Sequence, residues 1–278
     1  MEMKRFSDTV LNEQEERILV EKRRFKNLPY DLYPVQSASL SDLSRVIFED
    51  EYLPLAVAPD VLEANNRTYE EQLSSSKMIS SPEDTTPTVH GLLTIGKKPQ
   101  DYIAGAYIQF LRIDGVLLTD PVTDSEEIGG SITGMLRRTE EKLKSHNRTA
   151  VDVTSSATHK ITTTYPIAAL QQVLYNAVLH RSYEHTNAPV RINWYNDRIE
   201  IISPGGPYGN VTPENFGEPG VTDYRNPNLA ATMKILGFVQ IFGRGIAIAR
   251  KELEQNGNPP IEINANQSVV TCIIKRKP

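Results

Sequence analysis

The stretch Leu170-Gln-Gln-Val-Leu-Tyr-Asn-Ala-Val-Leu-His-Arg-Ser-Tyr183 constrains the fold more than any other part of the chain. On a helix, Ile167, Leu170, Val173, Leu174, Ala177 and Val178 share one side and make a core face. Gln172, Asn176 and His180, at i, i+4 and i+8, form a separate polar stripe. Such a helix lies against a core on one side and meets something polar on the other. Two amides and an imidazole in a row suit the wall of a ligand cavity. Taken alone, such a stripe is more often just the solvated face of an amphipathic helix.

The 278 residues leave room for one large or two medium domains. With 39% hydrophobic and 23% charged residues, the chain can bury an ordinary globular core. A net charge of −5 gives the whole molecule no nucleic-acid footprint. Local basic clusters such as Lys22-Arg23-Arg24 and Lys275-Arg276-Lys277 read as solvated surface. The single cysteine, Cys272, cannot form an internal disulfide, and its apolar neighbours mark it as a small buried hydrophobe. No His/Cys cluster has zinc spacing. The N-terminus lacks a signal-peptide core, and no run approaches membrane-spanning length. The expected setting is therefore cytoplasmic, with no membrane partner.

Periodicity predicts a charged helix over about Asn12–Phe25, an extended connector over Asn27–Pro34 and a helix from Ser41-Asp42 to about Tyr52. A further helix is expected from Pro59 to Leu73 or beyond. Val89–Ile95 and Ala106–Ile113 read as strands, and Ser131–Lys144 as a helix. Val190, Ile192 and Trp194 alternate with polar residues ahead of Asn196-Asp197 and Arg198–Ile202, which is a hairpin pattern. Helices over Asn226–Leu236 and Gly245–Gln255 follow, with strands over Ile261–Ile263 and Val269–Ile274. Helices alternating with antiparallel strands argue for an α+β fold with helices on one sheet face.

Three features bear on ligands. Gly91-Leu-Leu-Thr-Ile-Gly96-Lys97 has phosphate-loop spacing, but Lys98 stands where Ser or Thr would hold magnesium, and the intervening residues are apolar. Ser203-Pro-Gly-Gly206 directly follows a strand, and its glycines allow close approach of backbone to a ligand. Phe242-Gly-Arg-Gly-Ile246 opens a helix, so its amides and dipole suit an anion, with Arg244 adding a charge.

The segment from about Tyr165 to Lys275 resembles the RecG-related C-terminal domain of bacterial transcriptional regulators, a divergent branch of the GHKL (Bergerat-fold) ATP-binding superfamily. The resemblance is carried by Leu170–Tyr183, Asp197-Arg-Ile-Glu-Ile-Ile-Ser-Pro-Gly-Gly206, Arg225-Asn-Pro-Asn-Leu-Ala230 and Leu236-Gly237 with Phe242-Gly-Arg-Gly-Ile246. It implies an α/β sandwich with nucleotide between sheet and helices. Asn176 would help coordinate Mg between the phosphates of ATP. Gly205 and Gly206 would form the first glycine box, and Gly243 and Gly245 the second. Gln172, His180, Ser203, Arg225 and Arg244 would complete the nucleotide-binding set. Two positions depart from the superfamily. Gln172 stands where a carboxylate is expected, and an amide cannot take a proton from water. Ser203 stands near where an aspartate reads the adenine amino group.

Earlier segments resemble the same regulators. Glu13–Arg17 through Leu28-Pro-Tyr-Asp-Leu32 looks like the end of a Schlafen AlbA-type domain. Leu62–Thr68, Pro87–Leu93 and Gly96–Pro99 look like the segment that follows it. The resemblance implies a division into an AlbA-type remnant (1–35), a connecting α/β unit (36–148) and the GHKL-like domain (149–278). It implies that most of the AlbA-type domain, and a winged-helix extension, are missing. Three roles follow as expectations. The first is a DNA-associated transcriptional regulator whose C-terminal domain is a degenerate ATP-binding module, with DNA held by the missing parts. The second is a non-catalytic, homodimerising scaffold that has lost the ligand. The third is an active ATPase drawing a base from elsewhere, such as Glu184.

Overall fold

The computed structural model describes residues 28–147, 149–152, 160–184, 186–218, 220–239 and 243–277. The helix expected over Asn12–Phe25 lies outside them. The fold is α+β. Six strands form one mixed sheet in the order β2-β1-β5-β6-β8-β7. These are β1 (Ile108–Ile113), β2 (Val122–Ile128), β5 (Val190–Trp194), β6 (Arg198–Pro204), β7 (Glu262–Ala265) and β8 (Val269–Lys275). A separate hairpin pairs β3 (Thr149–Asp152) with β4 (Lys160–Thr163). Within the large sheet only β1 and β5 are parallel; every other pair is antiparallel.

Register explains why one face is buried. Phe110 pairs with Ile192, Ile192 with Ile201, Ile201 with Cys272, and Cys272 with Ile263, so one apolar row crosses five strands. Side chains two apart along a strand share a face. Val190 and Trp194 therefore join Ile192 on the buried side, while Arg191 between them is exposed. Trp194 packs edge-on against Phe110 and Tyr165 on this side. The expected 190–202 hairpin is thus present with the expected facing.

The helices are α1 (Leu53–Ala56), α2 (Pro59–Glu63), α3 (Tyr69–Ser75), α4 (Val89–Ile95), α5 (Ile132–His146), α6 (Ile167–Leu179), α7 (Pro227–Ile235) and α8 (Gly245–Asn256), of which α6 packs on β6 and α5 on β2. One continuous core runs from Ala38 to Ile274. The sheet crosses the boundary drawn at residue 148, because β1 hydrogen-bonds to β5. Units 36–148 and 149–278 therefore share one sheet and one core.

Several local readings of the sequence need correction. Val89–Ile95 is a helix with every residue buried, and Thr88 caps it by accepting the Gly91 amide at 2.9 Å. An apolar run buried on all sides has no periodicity to tell helix from strand. The same geometry leaves no loop to cradle a phosphate at Gly91–Lys97. The helix expected from Pro59 to Leu73 is two helices, because Thr68 and Glu71 form a capping box that starts α3 afresh. Asp42 caps only a short turn with Ser39; the helix beyond it is π-helical over Ile47–Tyr52 and continues into α1.

The Asn27–Pro34 connector holds a 3-10 turn over Tyr30–Leu32 and carries a buried carboxylate. Asp31 accepts hydrogen bonds from the Asn228 amide (2.7 Å), the Leu229 amide (3.0 Å) and the Asn228 side chain (2.9 Å). A carboxylate at the first turn of α7 answers its free amides and its dipole. Burial nevertheless raises the Asp31 pKa, against the pull of those bonds. His90 on α4 meets Thr232 on α7 at 3.3 Å, and burial pulls its pKa down to about 4.

Candidate functional site

Helix α6 is the pivot of the site. Most of it is buried, and Gln172, Asn176 and His180 remain half-buried along one line. That line faces a cleft bounded by β6, β8, the loop 205–224 and the start of α8. Mouth included, the cleft holds about 1100 Å³ of atom-free space. Ile201, Val270 and Cys272 make its apolar floor. From Gln172 to His180 the helix rises ~12 Å, which gives the cleft a long axis and two ends.

The C-terminal end of α6 is fully bonded. A helix leaves its last four carbonyls without partners inside the helix. Here Asn176 O takes the His180 amide (2.9 Å) and Ala177 O takes the Ser203 hydroxyl (2.6 Å). Val178 O takes the Tyr183 hydroxyl (2.9 Å), and Leu179 O takes the Asn226 side-chain amide (2.7 Å). Asn226 donates a second bond to Arg181 O at 2.9 Å. Ser203 and Asn226 thus each tie a distant segment to one helix end, and Tyr183 closes it locally. Ser203 lines the cleft with its proton committed to Ala177, so only its lone pairs face a ligand.

His180 stacks on Tyr224, with rings 5.5 Å apart and 17° from parallel. Burial, reinforced by the nearby Arg225 charge and opposed by Asp223, pulls its pKa down to about 4. Its imidazole is neutral at physiological pH and can both donate and accept. Asp223, missed in the sequence, is the sole carboxylate among the described residues lining the cleft. Its oxygens take the amides of Tyr224 (2.8 Å) and Asn210 (3.2 Å). Burial holds the Cys272 thiol up at about 12, so it stays protonated.

The glycines divide by what surrounds them. Gly205 has φ +98°, and a Cβ there would sit 2.8 Å from Ser182 Cβ. At Gly206 a Cβ would strike the backbone of Asn266 and Gln267. Both are accounted for by packing of the chain on itself. Arg225 does not line the cleft; it donates to Gly206 O at 3.0 Å and lies over the Tyr208 ring.

The opposite end differs. Gly243, Arg244 and Gly245 line the cleft where α8 begins, and among the described residues no side chain caps that helix. A Cβ on Gly245 would lie 2.5 Å from Asn176 Nδ2 and 3.2 Å from Gln172 Oε1. The amide pair therefore abuts the free N-terminus of α8. Asn176 Nδ2 donates to Gln172 O at 2.6 Å, which leaves Oδ1 without a bond in this pairing. Arg244 is exposed at the rim. Of the residues nominated from the sequence, Gln172, Asn176, His180, Ser203, Gly205, Gly206, Gly243, Arg244 and Gly245 meet around one cleft, and Arg225 stands behind its wall. Glu184 is also outside the lining and faces Tyr30 and Tyr33.

A family model described as "Putative ATP-dependent DNA helicase recG C-terminal" matches residues 187–274. This C-terminal region is RecG-related and GHKL-like. The match covers the strands and loops of the cleft and the start of α8. The crystal structure of the DIP2311 protein from Corynebacterium diphtheriae superposes with a TM-score of 0.65 at 22% identity, over 94% of this chain and 51% of that chain. The likeness shows a shared fold. The chain spans about half the length of that solved structure. No curated protein matches it. Among the described residues, no helix is long and apolar enough to cross a membrane.

Proposed function

We propose that the C-terminal region is a nucleotide-binding module that has given up hydrolysis, within a DNA-associated regulator whose DNA contacts lie in other parts. One observation carries this reading. The polar stripe of α6, the Ser203 hydroxyl and the uncapped start of α8 converge on one cleft that holds no carboxylate at its Gln172 end. The cleft suits ATP. Its His180 end offers an aromatic stack and hydrogen-bond acceptors to a base, and its Gln172 end offers amides and a helix N-terminus to phosphates. Magnesium fits less well. It is ordinarily held by carboxylates together with phosphates, and the neighbouring protein oxygens here are the amides of Gln172 and Asn176. Asn176 is therefore assigned to the phosphates rather than to a metal.

Calorimetric titration of the full chain with ATP tests the reading. The expected result is a saturable heat, with binding about tenfold weaker in Asn176→Ala, and no phosphate released over hours. No heat and no thermal shift at millimolar ATP would remove it. A second reading has its own support: Ser203, Gly205 and Gly206 are all accounted for by internal contacts. A ligand-free dimerisation scaffold would show a concentration-dependent dimer in sedimentation and no response to nucleotide.

A further inference from the structure

We infer that the cleft takes the nucleotide as its free polyanion, and that magnesium weakens binding where it would ordinarily be required. The inference rests on the nucleotide-binding reading above. Its ground is the chemistry of the Gln172 end. A carboxylate at that position would attract a cation and repel a phosphate. Glutamine does neither. It is neutral, and its amide can turn Nε2 outward and donate to a phosphate oxygen. Gln172 Oε1 lies near the first residue of α8, so the side chain sits where phosphate and helix N-terminus would meet.

The other groups at this end share that sign. Arg244 is cationic at the rim, and among the described residues no side chain caps the amides that open α8. A bare polyphosphate gains from every one of these contacts. Magnesium on the phosphates cancels two of their charges and weakens each attraction. The protein returns only neutral amide oxygens, for which magnesium would shed water reluctantly. The sole acid of the lining, Asp223, is at the His180 end, where the His180 pKa registers its charge. No cluster of three or more His, Cys, Asp or Glu among the described residues could hold a metal on its own.

The test is calorimetry with ATP in excess EDTA and again in excess magnesium chloride, plus magnesium chloride titrated alone into the protein. The expected result is about two- to fivefold tighter binding in EDTA, and no heat from magnesium alone. Gln172→Glu, nearly isosteric, should reverse the preference, with melting curves showing that the variant folds. Tighter wild-type binding in magnesium would overturn the inference and leave the nucleotide reading standing. Absence of binding under both conditions would remove both. Should Gln172→Glu fail to fold, the wild-type comparison decides alone.

Discussion

At the His180 end of the cleft most polar groups are bonded to the protein itself, with Arg225 Nε and Asn226 Oδ1 the exceptions among the described residues. Ser203 holds Ala177, Asn226 holds Leu179 and Arg181, Arg225 holds Gly206, and Asp223 holds two amides of its own loop. At the Gln172 end they are not so engaged: Asn176 bonds only within its own helix, Arg244 is exposed, and α8 starts uncapped. Both ends lie along α6, but the free amides at the Gln172 end are those of α8. A buried helix C-terminus must have its carbonyls answered by protein, because water cannot reach them. A helix N-terminus facing an open cleft can leave its amides for a ligand. The lesson is that motif residues of one family resemblance can have opposite physical duties.

The sharpest way to break the contrast is Gly205→Ala. The left-handed backbone and the contact with Ser182 together predict a loss of about 3 kcal/mol, read as a fall in denaturation midpoint. Asn226→Ala should cost about 2 kcal/mol, since two buried carbonyls lose their donor. A wild-type midpoint in either variant would mean that this end is not held as described.

Acid sharpens the same point. His180 is neutral in the folded state with a pKa of about 4, whereas in the unfolded chain it titrates near 6.5. The unfolded state takes the proton first, so stability is complete above the unfolded value and is lost as pH falls through the window towards 4. By pH 5.5 the loss is about 1 kcal/mol from this residue, and His90 adds a similar amount. His180→Phe, which keeps a ring on Tyr224, should remove its share of the pH dependence in thermal melts taken across that range.

The smallest stability effects belong to the Gln172 end. Asn176→Ala should change the midpoint by about 0.5 kcal/mol or less while weakening ATP about tenfold. Gly245→Ala should behave alike, because its new methyl meets only the movable side-chain ends of Asn176 and Gln172. A large loss of stability with unchanged affinity in these two would invert the comparison.

Much of the cleft was legible beforehand because its elements are amphipathic. The α6 stripe, the Val190–Ile202 hairpin and the helix opening at Gly245 each show a period or a punctuating residue. Elsewhere the signals were present and outweighed. Thr88 ahead of Val89–Ile95, and Thr68 with Glu71, are helix-start signatures that a run of apolar or mixed residues concealed. Strand β2 gave little sign, since an exposed edge carrying Asp124, Glu126 and Glu127 has only a weak apolar period. Asp31 gave none, because a carboxylate that caps a helix some two hundred residues away looks like any surface acid.

Local order settled where most helices and strands around the cleft lie and which of their faces turn inward. Hydrogen bonds and dihedral preferences act over a few residues, so the chain's own pattern encodes them. Tertiary contact alone decided that β1 joins β5 across the boundary drawn at 148, that Ser203 and Asn226 finish α6, and that Arg225 stands behind the wall. Those outcomes depend on which distant groups meet once water is excluded. No neighbourhood along the chain records that.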